Sequence, residues 1–286
     1  MASAPTLHEQ PIEYWNGEAG ERWVEANAFL DPLLAPFGEA MLETVTVASS
    51  SRALDIGCGC GATTLRLAEL VGPEGSVTGV DVSGPMLAFA GNRAAERPEL
   101  RIKLTLADAG RHPFDRGGFD LALSRFGLMF FEDPASAFAN IRRALADDGR
   151  LAFVCWRPEE ENEWLQVPRS VILRHVPPPT PPPPGAPGPF SLAVPDEVRS
   201  LLRGAGFGSV QVTRVDHSIQ IPGPVEHGVG FFQQVGEASR LLREAPETVR
   251  LRALADLTEA LAPFNDGTAT SLLSAAWIVV ADTAAV

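Results

Sequence analysis

The chain has little cysteine, almost no lysine, and fewer basic than acidic side chains. Its 286 residues include three cysteines (Cys58, Cys60 and Cys155) and one lysine, Lys103, and its formal net charge at pH 7 is −13. An odd number of cysteines with one C-x-C pair is not a disulfide framework, and no second ligand cluster completes a metal site. The negative charge argues against a nucleic-acid partner, because phosphate binding requires patches of Lys and Arg. We therefore predict no metal and no nucleic-acid partner.

Long apolar runs and a secretory signal are also missing from the sequence. No apolar run reaches the ~20 residues that a membrane-spanning helix needs. The first residues, MASAPTLHEQ, contain no basic segment followed by an apolar core, so they do not predict a signal peptide. We expect a cytoplasmic protein without a membrane partner. The abundance of Ala, Gly and Pro with almost no Lys is typical of a high-GC bacterium.

Between residues 52 and 157, short apolar runs alternate with helical patterns. The predicted strands are RALDIG, SVTGVDV, RIKLTLAD, FDLALSRF and RLAFVCW. The predicted helices are ATTLRLAELVG, GPMLAFAGNRAAE and PASAFANIRRALADDG, the last with Pro134 at its start and Gly149 just past its end. Strands that alternate with helices of this length favour a mostly parallel sheet with both faces covered.

The segments on either side of this region have different patterns. Residues 8–46, 163–175 and 224–263 are predicted to be helical, as is PDEVRSLLRGAGF. Two further strands are predicted at SVQVTRVDHSIQI and SAAWIVVADT, on either side of residues 224–263. A parallel sheet does not require a helical insertion at this position, so we interpret residues 224–263 as a lid. The proline-rich run 177–189 cannot join a helix or a central strand, so it is either a stiff surface connector or one wall of a substrate entrance.

The motif ALDIGCGCGA, residues 53–62, ends the first predicted strand in a glycine-rich turn. Gly57, Gly59 and Ala62 match the dinucleotide pattern G-x-G-x-x-G/A, and Asp81 ends the second strand at a suitable distance. Asp55 would repel a pyrophosphate, but it would attract a ligand that carries ammonium and sulfonium groups. The turn alone leaves an NAD-dependent oxidoreductase open, whereas Asp55 favours a cationic ligand without phosphate.

Four segments carry a resemblance to a known family: LDIGCGCG, GVDVS, ADA and FDLALSRFGLMFFEDPASAFANIRRALADDGRLAFVCW. They resemble the class I methyltransferases that depend on S-adenosylmethionine (SAM), and they are most similar to the small-molecule group that includes the ubiquinone and menaquinone C-methyltransferases. The resemblance covers about residues 50–157. It implies an α/β fold with a Rossmann-like, doubly wound sheet of seven strands, mostly parallel with one antiparallel C-terminal strand, plus an α-helical cap.

The same resemblance implies an organisation of the chain around the cofactor. Residues 1–50 would form the N-terminal helical cap segment, and residues 51–157 the SAM-binding core. Residues 158–194 would supply an acceptor-side helix and the proline-rich loop. Residues 195–286 would complete the sheet, with a helical lid inserted at about 224–263. The cofactor would be SAM, with S-adenosylhomocysteine as product, and the protein would be a monomer or a homodimer.

The family pattern also implies which residues bind the cofactor. Asp55 would bind the ammonium of the methionine end, Asp81 the ribose hydroxyls, and Asp108 the adenine amine. The other implied cofactor-binding residues are Gly57, Cys58, Gly59, Gly61, Val82, Met86, Ala109, Ser124 and Arg125, with Trp15 and Trp23 of the cap closing over the site.

The acceptor site follows the carboxyl ends of the predicted strands. Its predicted residues are Phe126, Met129, Phe130, Trp156, Phe231 and Phe232. The sequence identifies no catalytic base, and the candidates are Glu161, Glu163, His175 and His227. Because the cofactor already carries the activation, alignment and water exclusion are sufficient in principle. The expected activity is methyl transfer to a small, largely apolar acceptor; the alternatives are a SAM-binding protein that uses the cofactor for another reaction or for regulation, and an NAD-dependent oxidoreductase.

Overall fold

Seven strands form one sheet in the computed structural model, which describes residues 6–284. The strands are β1 (Arg52–Ile56), β2 (Ser76–Asp81), β3 (Ile102–Leu106), β4 (Phe119–Arg125), β5 (Leu145–Trp156), β6 (Val210–Pro222) and β7 (Ala269–Asp282). Their order across the sheet is β3-β2-β1-β4-β5-β7-β6. Strands β1 to β5 are parallel, and β7 is antiparallel to both β5 and β6. This arrangement confirms the predicted fold class.

Helices cover the sheet and extend beyond its carboxyl edge. They are α1 (Pro11–Asn16), α2 (Glu18–Glu25), α3 (Asn27–Leu42), α4 (Ala62–Val71), α5 (Gly84–Ala95), α6 (Pro134–Ala144), α7 (Glu163–Ile172), α8 (Pro195–Gly204), α9 (Val225–Gln234), α10 (Gly236–Glu244) and α11 (Glu247–Leu261). Within residues 6–284, none of them combines the length and the apolar character needed to cross a membrane. The predicted terminal segments also included residues 1–5 and 285–286, which lie outside the described residues.

The predicted helix at PASAFANIRRALADDG is too long. Helix α6 ends at Ala144, and Leu145 already has extended backbone, with φ −80° and ψ 146°. Leu145 pairs with Phe119 of β4, and the Gly149 carbonyl accepts a hydrogen bond from the Thr283 backbone N–H at 3.0 Å. Pairing within the sheet therefore overrides the helical pattern, and Gly149 lies inside β5 instead of following the helix.

The predicted helical insertion at 224–263 is three helices with sharp breaks between them. Val235 is extended (φ −119°, ψ 141°) between α9 and α10, and Pro246 precedes α11. Proline has no backbone N–H and restricts the residue before it to extended conformations, so a continuous helix cannot pass this point. The insertion keeps its predicted position between the last two strands.

The core is continuous from the sheet into the N-terminal helices. Phe37 and Met41 of α3 are fully buried, and they belong to the same apolar cluster as Leu54 of β1 and Phe153 of β5. Strand β5 is buried on both faces from Leu151 onward, as expected for a central strand covered by helices on both sides. Helix α3 therefore packs against the sheet beside the carboxyl ends of its strands.

We predict that Gly57→Ala lowers the free energy of unfolding by about 2–4 kcal/mol, because it combines a strained φ with a backbone clash. Gly57 has φ +65°, and a Cβ there would lie 2.9 Å from Cα of Gly127. Gly117 has a similar φ of +64°, but its Cβ would meet Ala146 only at 3.9 Å. Gly117→Ala should therefore lose about 1–2 kcal/mol from φ alone. Urea denaturation measures both, and equal losses would contradict the close approach at Gly57.

Candidate active site

The glycine turn lies between β1 and α4, at the edge where the parallel strands end. Gly57, Gly59 and Gly61 all have positive φ, at +65°, +52° and +82°. A Cβ on Gly61 would lie 2.9 Å from Cβ of Ala90 in α5, so the turn is pressed against the next helix. Open α/β sheets bind ligands at this edge, outside the carboxyl ends of the strands. Bare backbone in the turn lets a ligand approach closely.

Asp55 is a buried carboxylate with one oxygen unpartnered. The residue is 1% exposed, and the Thr64 hydroxyl donates a hydrogen bond of 2.6 Å to its Oδ2. Its Oδ1 is buried and has no hydrogen-bond partner within residues 6–284. Burial raises the pKa of Asp55 to about 7, with Thr64 and the charge of Arg125 acting in the opposite direction. Such a group is suited to bind a cation, because an unpartnered buried carboxylate oxygen is rare in native structures.

Asp81 ends β2 beside the same turn and is held by the backbone. The Gly59 N–H donates to Oδ2 at 2.7 Å and the Ser83 N–H donates to Oδ1 at 2.8 Å. Burial raises the pKa of Asp81, and the hydrogen bonds from the backbone of Ser83, Gly59 and Val82 oppose that shift. A carboxylate oxygen accepts more than one hydrogen bond, so both oxygens can still receive a ligand hydroxyl.

The other predicted residues near the turn lie around these two carboxylates. Cys58 is buried in the turn, and Val82 is half-buried directly after Asp81. Met86 is buried, and its Sδ lies 3.7 Å from the position of a Cβ on Gly59. Burial raises the pKa of the Cys60 thiol to about 12, and it raises the pKa of Cys58 as well. These thiols are therefore protonated near neutral pH and are poor nucleophiles or metal ligands.

Asp108 and Ala109 follow β3 at the same edge of the sheet. Asp81 pairs with Leu106, so Asp108 lies just beyond the end of the ladder. Its Oδ1 accepts a hydrogen bond from the Gly110 N–H at 2.8 Å, and the Ala109 carbonyl accepts one from Asn140 at 2.9 Å. Asp108 thus has a local turn role in addition to its place at the edge.

Ser124 connects the ends of two neighbouring strands. It is fully buried, its hydroxyl donates to the Ile56 carbonyl at 2.7 Å, and its oxygen accepts from the Gly127 N–H at 3.2 Å. The side chain is therefore occupied by backbone groups of β1 and of the loop after β4. Only the backbone of Ser124 is left for the ligand contact that the sequence predicts.

An acidic residue of α3, Asp31, links two arginines above the glycine turn. Arg125 Nη2 lies 3.4 Å from Asp31 Oδ1, and Arg93 Nη1 lies 2.7 Å from Asp31 Oδ2. Arg93 also donates to the Cys60 carbonyl at 3.1 Å. A groove of about 270 Å³ opens beside this network. Sequence reasoning missed Asp31 and Arg93, because their roles depend on how α3 and α5 dock.

The N-terminal helices cover the edge beside Asp81. Trp15 contacts Trp23 and Phe130 edge-to-face, with ring centroids 5.6 and 5.3 Å apart. The indole Nε1 of Trp15 is buried without a hydrogen-bond partner among the described residues. Asn16 Oδ1 accepts from the Gly84 N–H at 2.8 Å, which fixes α1 to the start of α5. Both predicted tryptophans therefore lie in the N-terminal helices, which Asn16 ties to the start of α5.

An aromatic cluster of Phe37, Phe126, Trp156 and Trp164 lies at the carboxyl ends of β4 and β5. Phe126 stacks on Trp156 with centroids 4.0 Å apart, and Phe37 lies 5.3 and 5.4 Å from these two rings. Trp164 lies 5.2 Å from Trp156. Phe126 has φ +63°, a strained conformation for a non-glycine residue that often marks a functional site. Phe37 and Trp164 were not predicted, since no local motif connects them to this edge.

Four other residues predicted for the acceptor site lie outside the aromatic cluster. Met129 is fully buried, with its Sδ 3.5 Å from the Trp156 N–H, and its carbonyl accepts hydrogen bonds from the Gly188 N–H and the Ser191 hydroxyl. Phe130 packs on Trp15 of the cap. Phe231 and Phe232 pack edge-to-face on each other within α9. These four side chains pack against other parts of the protein. Of the six residues predicted for the acceptor site, only Phe126 and Trp156 belong to the aromatic cluster.

The four candidate bases have structural partners. Glu161 forms an ion pair with Arg157, and Glu163 Oε2 accepts from the Leu273 N–H at 2.9 Å. His175 Nε2 lies 2.9 Å from Asp256 Oδ2, and the exposed His227 lies with its Nδ1 3.0 Å from the Pro222 carbonyl. The structure does not bring them to Asp55. In the part of the chain that the structure describes, no group of three or more His, Cys, Asp or Glu side chains is placed to hold a metal.

Comparisons with known proteins find similarity to methyltransferases. Residues 53–149 match a family described as "Methyltransferase domain". The chain is 28% identical over 235 residues to the nocamycin O-methyltransferase of Saccharothrix syringae, covering 75% of this chain and 82% of that enzyme. It is 37% identical over 111 residues to the demethylmenaquinone methyltransferase of Staphylococcus epidermidis, covering 39% of this chain and 45% of that enzyme. The match to the second relative thus spans less than half of its length.

A solved structure shows the same fold. The phosphoethanolamine N-methyltransferase 2 of Haemonchus contortus, in complex with phosphomonomethylethanolamine and S-adenosylhomocysteine, has a TM-score of 0.57 and 16% sequence identity. The likeness covers 98% of this chain and 60% of that one. The matched domain and the curated relatives are those of methyltransferases, and together they support a SAM-dependent methyltransferase.

We predict that binding of S-adenosylhomocysteine weakens as the pH falls through about 7. The free protein binds a proton at Asp55 below that value, whereas the ammonium of the ligand requires the carboxylate, so binding releases the proton. Between about pH 8 and about pH 5 the affinity should fall by up to about 100-fold, since each pH unit below the pKa is worth up to about tenfold. Calorimetric titration across this range measures the effect.

The variant Asp55→Asn should bind more weakly and with little pH dependence in the same range. Asp148→Asn, which changes an exposed carboxylate of β5, should keep the wild-type profile. A wild-type affinity that is constant with pH, or an Asp55→Asn profile identical to that of the wild type, would contradict the assignment of the cation site to Asp55.

Proposed function

We propose that this methyltransferase transfers the methyl group of SAM to a small, largely apolar acceptor at the aromatic cluster. The observation that carries the proposal is the adjacency of the glycine turn and that cluster. In the sheet, Asp55 of β1 pairs with Leu123 of β4, two residues before Arg125, which pairs with Val154 of β5. Phe126 directly follows β4 and Trp156 is the last residue of β5, so both lie at the strand ends that surround Asp55. A cofactor bound at the turn would present its reacting end toward the aromatic rings.

The residues at the turn fit the chemical groups of SAM. Asp55 would accept the ammonium on its unpartnered Oδ1, and Asp81 would accept the ribose hydroxyls on its two backbone-anchored oxygens. Backbone without Cβ atoms at Gly57 and Gly59 would contact the methionine chain. Met86 lies where it would pack beside the adenosine, and the indoles of Trp15 and Trp23 lie in the cap over the same edge.

The contribution of the protein to the reaction would be alignment and the exclusion of water. When bound, SAM supplies a methyl group activated by its sulfonium, and the leaving sulfur departs as a neutral thioether. The rings of Phe126 and Trp156 would hold the acceptor in line with the C–S bond, and aromatic faces also attract cations. Positioning of this kind lowers a barrier by roughly 7–11 kcal/mol when the reacting atoms are well aligned. No general base is required for acceptors that are already nucleophilic.

The class of the acceptor follows from the cluster and from the relatives. Buried aromatic rings with few charges favour an organic molecule with an apolar or aromatic body. The two curated relatives are named for nocamycin and for demethylmenaquinone, which supports a small molecule as the acceptor. The net charge of −13 further disfavours a polyanion.

The proposal is tested with SAM labelled in its methyl group and a panel of small hydroxy, amino, carboxy and carbon acceptors. We predict label in at least one apolar or aromatic acceptor, with release of S-adenosylhomocysteine. Phe126→Ala should lower kcat/KM by about tenfold or more, because it removes an aromatic contact and the alignment it provides. Its affinity for S-adenosylhomocysteine should remain close to that of the wild type.

The matched control is Phe29→Ala, which removes an exposed ring of α3 and should leave kcat/KM unchanged. Binding of S-adenosylhomocysteine without methylated product across the panel would instead favour use of the cofactor in another reaction. Equal effects of Phe29→Ala and Phe126→Ala would contradict an acceptor site at the aromatic cluster.

A further inference from the structure

His217 lies on the sheet just beyond the carboxyl end of β5. Trp156 of β5 and Val215 of β6 both pair with Ala276 of the intervening strand β7, so these three residues share one level of the sheet. Strand β6 runs in the same direction as β5, because β7 is antiparallel to both. His217 is two residues further along, and side chains two residues apart in a strand share a face. It therefore lies on the Trp156 face, past the edge where the substrate is proposed to bind.

The imidazole of His217 contacts the aromatic cluster and has an unpartnered nitrogen. Its ring lies 5.0 Å from Phe37 at an interplanar angle of 89°, and Phe37 in turn contacts Phe126 and Trp156. Nε2 is buried and has no hydrogen-bond partner among residues 6–284. Native structures usually avoid buried polar atoms without a partner, so such an atom beside a proposed acceptor site points to a ligand.

The side chains that surround His217 are apolar, so the imidazole is the group that could accept a proton on this side of the aromatic cluster. Val215 and Ile219 flank it on the same face of β6, and Phe37 covers it from α3. The Ser274 hydroxyl on the neighbouring strand donates to the His217 carbonyl at 2.6 Å, so it is directed to the backbone. An acceptor hydroxyl that reached this side of the cluster would meet Nε2 as its hydrogen-bond partner.

Phe37 contacts His217, Phe126 and Trp156, so an aromatic acceptor that reaches His217 would have to displace its ring. Helix α3 is suited to such a displacement because Pro32 and Pro36 lie inside it. Neither proline has a backbone N–H, so each of the two turns that precede Phe37 lacks one of the hydrogen bonds of a regular helix. The ring of Phe37 meets its three aromatic neighbours edge-to-face, which is also the geometry in which a planar acceptor ring would pack.

We propose that His217 is the general base for methylation of a weakly acidic hydroxyl, a phenol or an enol; this rests on the methyl transfer proposed above. Nε2 takes the hydroxyl proton while an oxygen lone pair forms the bond to the methyl carbon. The C–S bond breaks with its electron pair remaining on sulfur, which becomes the neutral thioether of S-adenosylhomocysteine. The imidazolium then returns its proton to solvent, so the net products are the methyl ether, S-adenosylhomocysteine and a proton.

The test uses 4-methylphenol, 1-naphthol and 4-nitrophenol as acceptors with methyl-labelled SAM, at a mildly alkaline pH where only 4-nitrophenol is ionised. His217→Gln should lower kcat on the two protonated phenols by about 100-fold or more, which is the usual contribution of a general base. On 4-nitrophenol, which has no proton to lose, the variant should keep most of the wild-type rate. A residue with only a structural role would not produce this dependence on the acceptor.

Two controls distinguish the possible failures. His217→Gln must bind S-adenosylhomocysteine with wild-type affinity, and Ser218→Ala, at the exposed neighbouring residue of β6, should leave all rates unchanged. Equal loss on every phenol, no loss, or labelling of only amines, carboxylates or carbon would overturn the role of His217 while methyl transfer stands. No labelled product from phenols or from the wider panel would overturn methyl transfer itself, and His217 with it.

Discussion

The burial of the Asp55 carboxylate at the end of β1 is the constraint around which the site is built. A buried carboxylate with one unpartnered oxygen is unfavourable on its own, and burial raises its pKa to about 7. Thr64 holds one oxygen and Arg125 lies close enough to lower the pKa, while the other oxygen has no hydrogen-bond partner within residues 6–284. A cationic ligand completes this arrangement, and it thereby links cofactor binding to the charge of a single residue.

Helix α3 connects the cofactor site around Asp55 with the proposed acceptor site. Asp31 of α3 pairs with both Arg93 and Arg125, so the helix that carries Phe37 is tied to the glycine turn. On the opposite side, Phe37 packs into the aromatic cluster beyond β4 and β5. A movement of α3 would therefore be transmitted to both halves of the site. This coupling gives the cap a function beyond coverage of the cofactor, because the same helix faces the cofactor turn and the acceptor wall.

The features that could be predicted from the sequence are those that depend on local patterns and on where the strands end. Asp55 is the penultimate residue of β1 and Asp81 is the last residue of β2. Parallel strands bring such ends to one edge, so the sequence pattern was sufficient to predict that the two carboxylates belong to one site. Asp31 and His217 could not be found in this way, since one depends on how a cap helix docks and the other on the register of β6 with β7. The predicted end of α6 was wrong because the pairing of Leu145 with β4 outweighs the helical pattern of the following residues.

The most direct test of the account is a crystal structure of the protein with S-adenosylhomocysteine. The account predicts that the amino nitrogen of the ligand lies within hydrogen-bond distance of Asp55 Oδ1, with the ribose hydroxyls on Asp81. An amino group that points to solvent or to another carboxylate, with Oδ1 of Asp55 still unpartnered or paired with Arg125, would contradict the central role of Asp55.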